Sequence, residues 1–295
     1  MYVITGATGN TGKRISHALL DAGKQVRVIG RSAERMQEFA DKGADVFVGD
    51  LNDRAAMEKA FNGATAAYVM VPPKYDAEDF RAYQNEVNES LANALEKSQV
   101  KHVVALSSVG AELPSGNGPV AGLYDMEQRL NKLDEVHILY LRPGYFMENT
   151  MMQIGTIKAM GFAGTPVKPD ATFGMIATQD IAAYAVKRLL ALDFTGHSHQ
   201  ELQGNRDLSY AEVTKLYGEK IGKPDLEYVQ VTPEQALQGM MQVGMSQSAA
   251  EMMLELSEGL NTGEVHPLEP RNDENTTPTT IEQFAEYWTA AYNAS

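Results

Sequence analysis

The chain contains no cysteine. Disulfides, thiolate catalysis and cysteine-ligated zinc are therefore excluded, and any redox chemistry must come from a bound group. Positive charge is also scarce: 25 Lys and Arg stand against 39 Asp and Glu, a formal net charge of −14. A surface of that sign repels polyanions, so neither nucleic acid nor an anionic membrane is expected as a partner. No apolar run approaches the ~20 residues that cross a bilayer. The amino terminus enters a strand directly, without a basic and then apolar leader, so a cytoplasmic location is expected. Of the six histidines only His197 and His199 lie close together. With no third ligand implied, a solvated turn after Gly196 is the expectation, and no metal site is predicted.

What the chain does have starts at its first residues. Met1-Tyr2-Val3-Ile4 reads as a strand, and Thr5-Gly6-Ala7-Thr8-Gly9-Asn10-Thr11-Gly12 follows it into an amphipathic helix with Ile15, Leu19 and Leu20 inward. Glycine at the first position permits a tight strand-to-helix turn, at the second lets backbone approach a pyrophosphate, and at the third allows close helix–strand packing. The free N–H groups at the helix start then hold the phosphate charge, which the helix dipole also favours. Gly6, Thr8, Gly9, Asn10, Thr11 and Gly12 are thus expected to form a dinucleotide cradle. A second strand, Gln25 to Ile29, ends in Gly30-Arg31-Ser32. An NAD site places an acid there for the ribose 2′-hydroxyl, whereas an NADP site needs a cation for the 2′-phosphate. No acid is present; Arg31 can pair bidentately with a phosphate and Ser32 adds a hydroxyl, so NADP(H) is the expected cofactor. Otherwise Arg31 is a solvated loop cation. Lys13, Arg14 and Arg35 would extend the same positive field.

Strands and helices alternate for about 145 residues, the pattern of a parallel doubly wound sheet. Further strands are expected at Ala44 to Val48, Ala66 to Val71, His102 to Leu106 and His137 to Leu141. Helices are expected at Arg54 to Phe61, Asp79 to Ser98 and Ala121 to Leu133. The fold class is α/β: a Rossmann-type NADP-binding domain over residues 1–150, rejoined at about 176–203, with a smaller, mostly helical substrate lobe over 151–295. In that lobe Ser209 caps a helix, Asp225 to Val231 alternates like a strand, and Thr232-Pro233-Glu234 starts another helix. The methionine-dense stretch Gly239 to Met245, followed by Met252-Met253-Leu254, has helical spacing that fits core packing; the alternatives are that it lines a promiscuous aromatic pocket or forms a mobile lid. Glu269 to Thr280 is polar, and Ile281 to Tyr292 closes the chain as an amphipathic helix carrying Trp288.

Taken together, Thr5 to Gly12, Arg31, Gly49-Asp50-Leu51, Val71-Pro72-Pro73, Ser107-Ser108-Val109-Gly110-Ala111, Leu141 to Asn149 and Asp180-Ile181-Ala182 resemble the NmrA-like branch of atypical short-chain dehydrogenases/reductases. The resemblance covers most of residues 1 to about 195. It implies that Asp50 contacts the adenine amino group with Leu51 against the ring, although Asp50 or Asn52 could equally cap the helix that starts near Asp53. It further implies that Val71, Pro72 and Pro73 wall the nicotinamide ribose, that Ser107 and Ser108 lie near the nicotinamide, and that Pro143, Gly144, Tyr145 and Phe146 cover its far side. The family holds quinone and dye reductases as well as non-enzymatic NADP sensors.

A short-chain dehydrogenase usually protonates a carbonyl oxygen with a tyrosine whose pKa a nearby lysine lowers. None of the thirteen tyrosines begins a Tyr-x-x-x-Lys motif; with Glu127 matched to the family's carboxylate, Pro119 and Leu123 fall where that pair belongs. A quinone or other conjugated aromatic acceptor still takes hydride once stacked in an apolar pocket. Tyr124 and Tyr145 are the candidate catalytic residues, with Phe146, Met147 and Asn149 also expected in the pocket. Tyr184 is read as structural. NADPH-dependent reduction of a small aromatic or quinone-like substrate is thus the expected activity. The alternative is a non-catalytic NADP(H) sensor acting on a protein partner. Either a monomer or a homodimer is compatible.

Overall fold

The structure, a computed structural model, describes residues 1–295. In chain order the first half runs β1 (Tyr2–Ile4), α1 (Asn10–Asp21), β2 (Val26–Gly30), α2 (Gln37–Ala40), β3 (Asp45–Val48), α3 (Arg54–Ala60), β4 (Ala66–Val69), α4 (Phe80–Lys97), β5 (His102–Leu106), α5 (Ala121–Leu130) and β6 (His137–Pro143). The remainder is β7 (Tyr145–Phe146), α6 (Gln153–Met160), β8 (Ala163–Thr165), β9 (Thr172–Ile176), α7 (Thr178–Ala191), β10 (His197–Leu202), β11 (Asp207–Ser209), α8 (Tyr210–Lys220), β12 (Tyr228–Gln230), α9 (Pro233–Gln242), α10 (Gln247–Thr262) and α11 (Ile281–Ala294).

Seven strands form one parallel sheet in the order β10-β6-β5-β4-β1-β2-β3. The chain reverses its winding direction between β1 and β4, so a crevice opens beyond the carboxyl ends of those strands. Because both faces are covered by helices, the central strands are apolar throughout rather than alternating: every residue of β1 and β4 is buried. One face packs Val3, Val69, Val103 and Ile138 against α3, α4 and α5 residues such as Met57, Val87, Leu91 and Met126. The other packs Ile4, Tyr68, Val104 and Leu141 against Ile15, Leu19, Ile181 and Leu189 of α1 and α7.

A third apolar cluster lies outside the sheet, where α8 and α11 pack on each other and on β9. Trp288 is its centre: fully buried, stacked on Tyr217 at 4.1 Å and donating its indole N–H to the Thr150 carbonyl at 3.3 Å.

Helix starts follow side-chain chemistry. Asp53 accepts from the Ala56 N–H at 3.0 Å and Ser209 from the Glu212 N–H at 3.2 Å. Thr232 and Thr280 each form a reciprocal capping box with the glutamine three residues on. Asp53→Ala is expected to cost about 1 kcal/mol, read as a shift in the urea midpoint with unchanged slope.

Several expectations are corrected. The fourth strand ends at Val69 rather than Val71, since the chain turns away before Pro72 and Pro73, which have no N–H to offer a ladder. His197 lies with His199 to Leu202 in edge strand β10, paired in parallel to β6, so the strand, which the sequence suggests from His199, starts at His197 and replaces the expected turn there. Only Tyr228–Gln230 of the expected strand Asp225 to Val231 is paired. The methionine-dense segment is not core: α9 buries none of its residues and Val243 is 83% exposed. Its apolar spacing meets α10 along one side only, which shields Met240 in part and leaves Met241 open.

Candidate functional site

The glycine-rich turn between β1 and α1 is closely packed at Gly6 and Gly12 and leaves the start of α1 open. Gly6 sits at φ +62°, a conformation that side chains rarely adopt, and a Cβ there would press on the Met70 sulfur at 2.7 Å. A Cβ on Gly12 would stand 2.2 Å from the Gly6 carbonyl oxygen. Gly9, the N-cap of α1, supplies no side-chain acceptor, and no acid occupies the first turn. The first N–H groups of the helix thus remain open donors at its positive end, fitted to a phosphate. Thr11 differs from its expected role. Its hydroxyl is buried and accepts from the Tyr68 hydroxyl at 2.8 Å, so only its backbone faces the cradle.

Around this cradle the cations divide. Lys13 is paired with Glu38 at 2.8 Å, whereas Arg14, Arg31 and Arg35 are exposed and form no ion pair with any carboxylate. Ser32 accepts from the Arg35 N–H at 3.4 Å and so shapes the loop. Asp50 is half-buried, and helix capping falls to Asp53, leaving the Asp50 carboxylate free; Leu51 is buried beside it. The two charges meet near Tyr83, whose hydroxyl pKa is raised by burial and by Asp50 and opposed by Arg31. Lys74, unforeseen from sequence, lies over the Tyr83 ring at 5.4 Å. Arg31, Asp50, Lys74 and Tyr83 therefore mark one end of the crevice.

At the other end a cavity of about 260 Å³ opens past β4, β5 and β6. Met70 touches both: it contacts Gly6 and lines the cavity. Val71, Pro73, Ser107, Ser108, Pro143, Gly144, Tyr145, Phe146 and Asn149 all line it, while Pro72 does not. Pro119 and Leu123 line it too, so apolar side chains occupy the positions matched to the superfamily's tyrosine and lysine. Tyr124 and Met147 are corrections. Tyr124 is not among the residues that line the cavity, and Met147 is fully buried in the third cluster. Tyr145 donates to or accepts from the Tyr210 hydroxyl at 2.7 Å, and burial pushes its pKa up.

Ser107 belongs to a buried network beneath the cavity rather than to its open surface. Its hydroxyl donates to Glu127 at 2.5 Å; Arg142 donates to both oxygens of Glu127 at 3.0 and 2.6 Å and reaches Glu112 at 3.3 Å. The bidentate pair fixes the ends of β5 and β6 relative to α5.

The far wall was not anticipated from sequence. Leu256 and Leu260 of α10, with Val265 and Pro267 beyond it, close the cavity from above. Hydrogen bonds strap this segment down: the Ser246 N–H to the Tyr75 carbonyl at 2.7 Å, the Phe80 N–H to the Ser248 hydroxyl at 3.1 Å and the Gly116 N–H to Glu255 at 2.6 Å near its start, and Asn261 at its end, which accepts from the Lys168 N–H at 2.6 Å and donates to the Pro166 carbonyl at 3.1 Å. The available signals were the neighbouring Met252-Met253-Leu254, weighed as pocket lining or lid, and the pair of leucines one helical turn apart, which does not say what they face.

The same fold occurs in known proteins. The model of the NmrA-like family matches residues 2–287. The chain is 30% identical over 258 residues to the NAD(P)H azoreductase of Xenophilus azovorans, covering 87% of this chain and 86% of that protein. Among solved structures it is similar to the triphenylmethane reductase of Citrobacter sp. in complex with NADP(H), with a TM-score of 0.80, 19% identity, and coverage of 98% of this chain and 100% of that one. The NADPH-dependent quinone oxidoreductase QOR2 of Escherichia coli, complexed with NADPH, superposes with a TM-score of 0.77 at 20% identity, covering 97% and 99%.

Proposed function

Because this chain belongs to the NmrA-like family, we propose that it is an NADPH-dependent reductase that passes hydride to a quinone or another conjugated aromatic acceptor. The observation that carries this reading is the uncharged cavity at the strand ends, joined through Met70 to a phosphate-shaped glycine turn. Gly6, Gly9, Gly12 and the open N–H groups of α1 would hold the diphosphate, Arg31 the 2′-phosphate and Asp50 the adenine. When bound, the reduced nicotinamide supplies the hydride. The chain's own contribution is proximity and exclusion of water: Val71, Leu123, Phe146, Leu256 and Leu260 offer an apolar slot for a flat acceptor, with Tyr145 and Asn149 as its polar contacts. The relatives named above support this reading through their reductase activities.

The test is NADPH consumption, followed by absorbance, across a panel of quinones and conjugated dyes. Multiple turnovers with one acceptor support the reading; tight NADPH binding with no consumption by any acceptor refutes it. Arg31→Asp should weaken NADPH binding about thirtyfold, near 2 kcal/mol, because a charge-assisted pair is replaced by repulsion. NADH, which lacks the 2′-phosphate, should change less than about threefold. Equal losses for both would remove Arg31 from the cofactor assignment.

A further inference from the structure

None of the residues lining the cavity is a lysine, arginine, histidine, aspartate or glutamate. Negative charge that develops there must therefore be met by neutral hydrogen-bond donors. Hydride added to a quinone forms one bond and moves a π pair onto a carbonyl oxygen, which stays anionic until it takes a proton from water. Three of the wall's side-chain donors are already committed. The Ser107 hydroxyl goes to Glu127 at 2.5 Å, the Ser108 hydroxyl to the Val109 carbonyl at 2.9 Å, and the Gln84 amide to the Pro119 carbonyl at 2.9 Å. Tyr75, Tyr145 and Asn149 remain, and they adjoin, since Tyr75 and the Asn149 amide both bear on the Tyr145 hydroxyl.

Tyr145 is set apart by what stands behind it. Tyr210, the first residue of α8, is 3% exposed and lies outside the cavity lining, with its hydroxyl 2.7 Å from that of Tyr145. Its ring is stacked on Tyr228 at 5.3 Å, and the Tyr228 hydroxyl is in turn held by the Thr165 hydroxyl at 2.6 Å and the Val167 carbonyl at 2.7 Å. The Tyr210 ring is thus fixed in place. The Tyr145 oxygen is the one hydrogen-bond partner of the Tyr210 hydroxyl. Were Tyr210 to accept this bond, its own proton would be buried without an acceptor, the costly state for a hydroxyl. Tyr210 therefore donates and Tyr145 accepts, which leaves the Tyr145 proton free to turn to the cavity. A hydroxyl that accepts one bond also donates the next more strongly.

We propose that Tyr210 is a positioning residue: by donating to Tyr145 it aims the Tyr145 proton at the acceptor oxygen that gains charge when hydride arrives. This rests on the reductase reading, and the experiment separates the two. It compares Tyr145→Phe, Tyr210→Phe and the double variant, all of which keep the rings. The first readout is binding of para-nitrophenolate, a stand-in for the oxyanion, to protein saturated with NADP⁺, followed by absorbance at a pH where the probe is ionised and no hydride is available. Binding should weaken about tenfold in Tyr145→Phe and about threefold to fivefold in Tyr210→Phe. The double variant should lose no more than Tyr145→Phe alone, because Tyr210 acts only through Tyr145. The second readout is NADPH consumption with a quinone. There kcat should fall about 100-fold in Tyr145→Phe and about threefold to tenfold in Tyr210→Phe, with KM within about twofold and again no further loss in the double variant. A Tyr210 that merely holds the fold would add its own loss to that of Tyr145→Phe, and additive losses overturn the proposal. So does a Tyr210→Phe variant unchanged in both readouts, or a greater loss in Tyr75→Phe than in Tyr145→Phe. Non-additive loss of phenolate binding in a protein that consumes NADPH with no quinone overturns the reductase reading instead.

Discussion

Glu127→Ala is expected to lower folding stability by about 3–5 kcal/mol, the usual cost of removing one partner from a buried ion pair. Glu127 and Arg142 are 3% and 7% exposed. Without the carboxylate, the guanidinium keeps only Glu112 at 3.3 Å, and the buried Ser107 hydroxyl loses its acceptor. For a chain of this size the melting temperature should fall by roughly 6–10 °C. The pair itself need not be net stabilising, because removing two charges from water offsets much of their attraction. A double replacement, Glu127→Leu with Arg142→Met, should therefore recover most of the loss. If the single variant melts within about 1 °C of the parent, the network is not structural in the sense argued here.

Gly12→Val is expected to abolish binding of both NADPH and NADH, raising each Kd by at least about 100-fold, near 2.7 kcal/mol. The new Cβ would stand 2.2 Å from the Gly6 carbonyl oxygen and 2.7 Å from its carbon, both backbone atoms that cannot swing aside. Either α1 moves off the sheet or the turn at Gly6 opens, and in both cases the N–H groups no longer converge on a phosphate. Overpacking of this kind should also cost about 1–3 kcal/mol of stability. Calorimetric titration with both cofactors separates this variant from Arg31→Asp, which discriminates between them. Retained NADH affinity in Gly12→Val would show that the diphosphate is held elsewhere.

The readable parts of this molecule were local. Glycine spacing, a strand before it and an amphipathic helix after it define the β1–α1 turn within a dozen residues, and the alternation of apolar strands with helices carried the same logic to β6. Asp53 illustrates the finer limit: Asp50 or Asn52 was the expected cap, and the geometry gives that role to Asp53, read from the sequence only as the helix start. Tyr124 and Leu123 illustrate another. A helix places adjacent residues about 100° apart, so an uncertainty of one position in the match to Glu127 decides whether a tyrosine or a leucine reaches the cavity. The wall made by Leu256, Leu260, Val265 and Pro267 was illegible for a different reason. It meets β4 to β6 across more than a hundred residues of chain, and no short-range pattern encodes which surface it covers. Segment α9 makes the complementary point, because helical apolar spacing reports an amphipathic face and is silent on whether anything buries it.

The strap over the cavity has an evolutionary consequence. The proposed cofactor contacts come from the first fifty-one residues and the sheet, whereas the roof comes from residues 246–267, which contribute no strand and are held by hydrogen bonds to loops and a helix start. Mutations in the roof can therefore accumulate and be sampled for new acceptors while the hydride source stays intact. A lineage built this way diversifies its substrates by editing one late segment, without re-solving the fold each time.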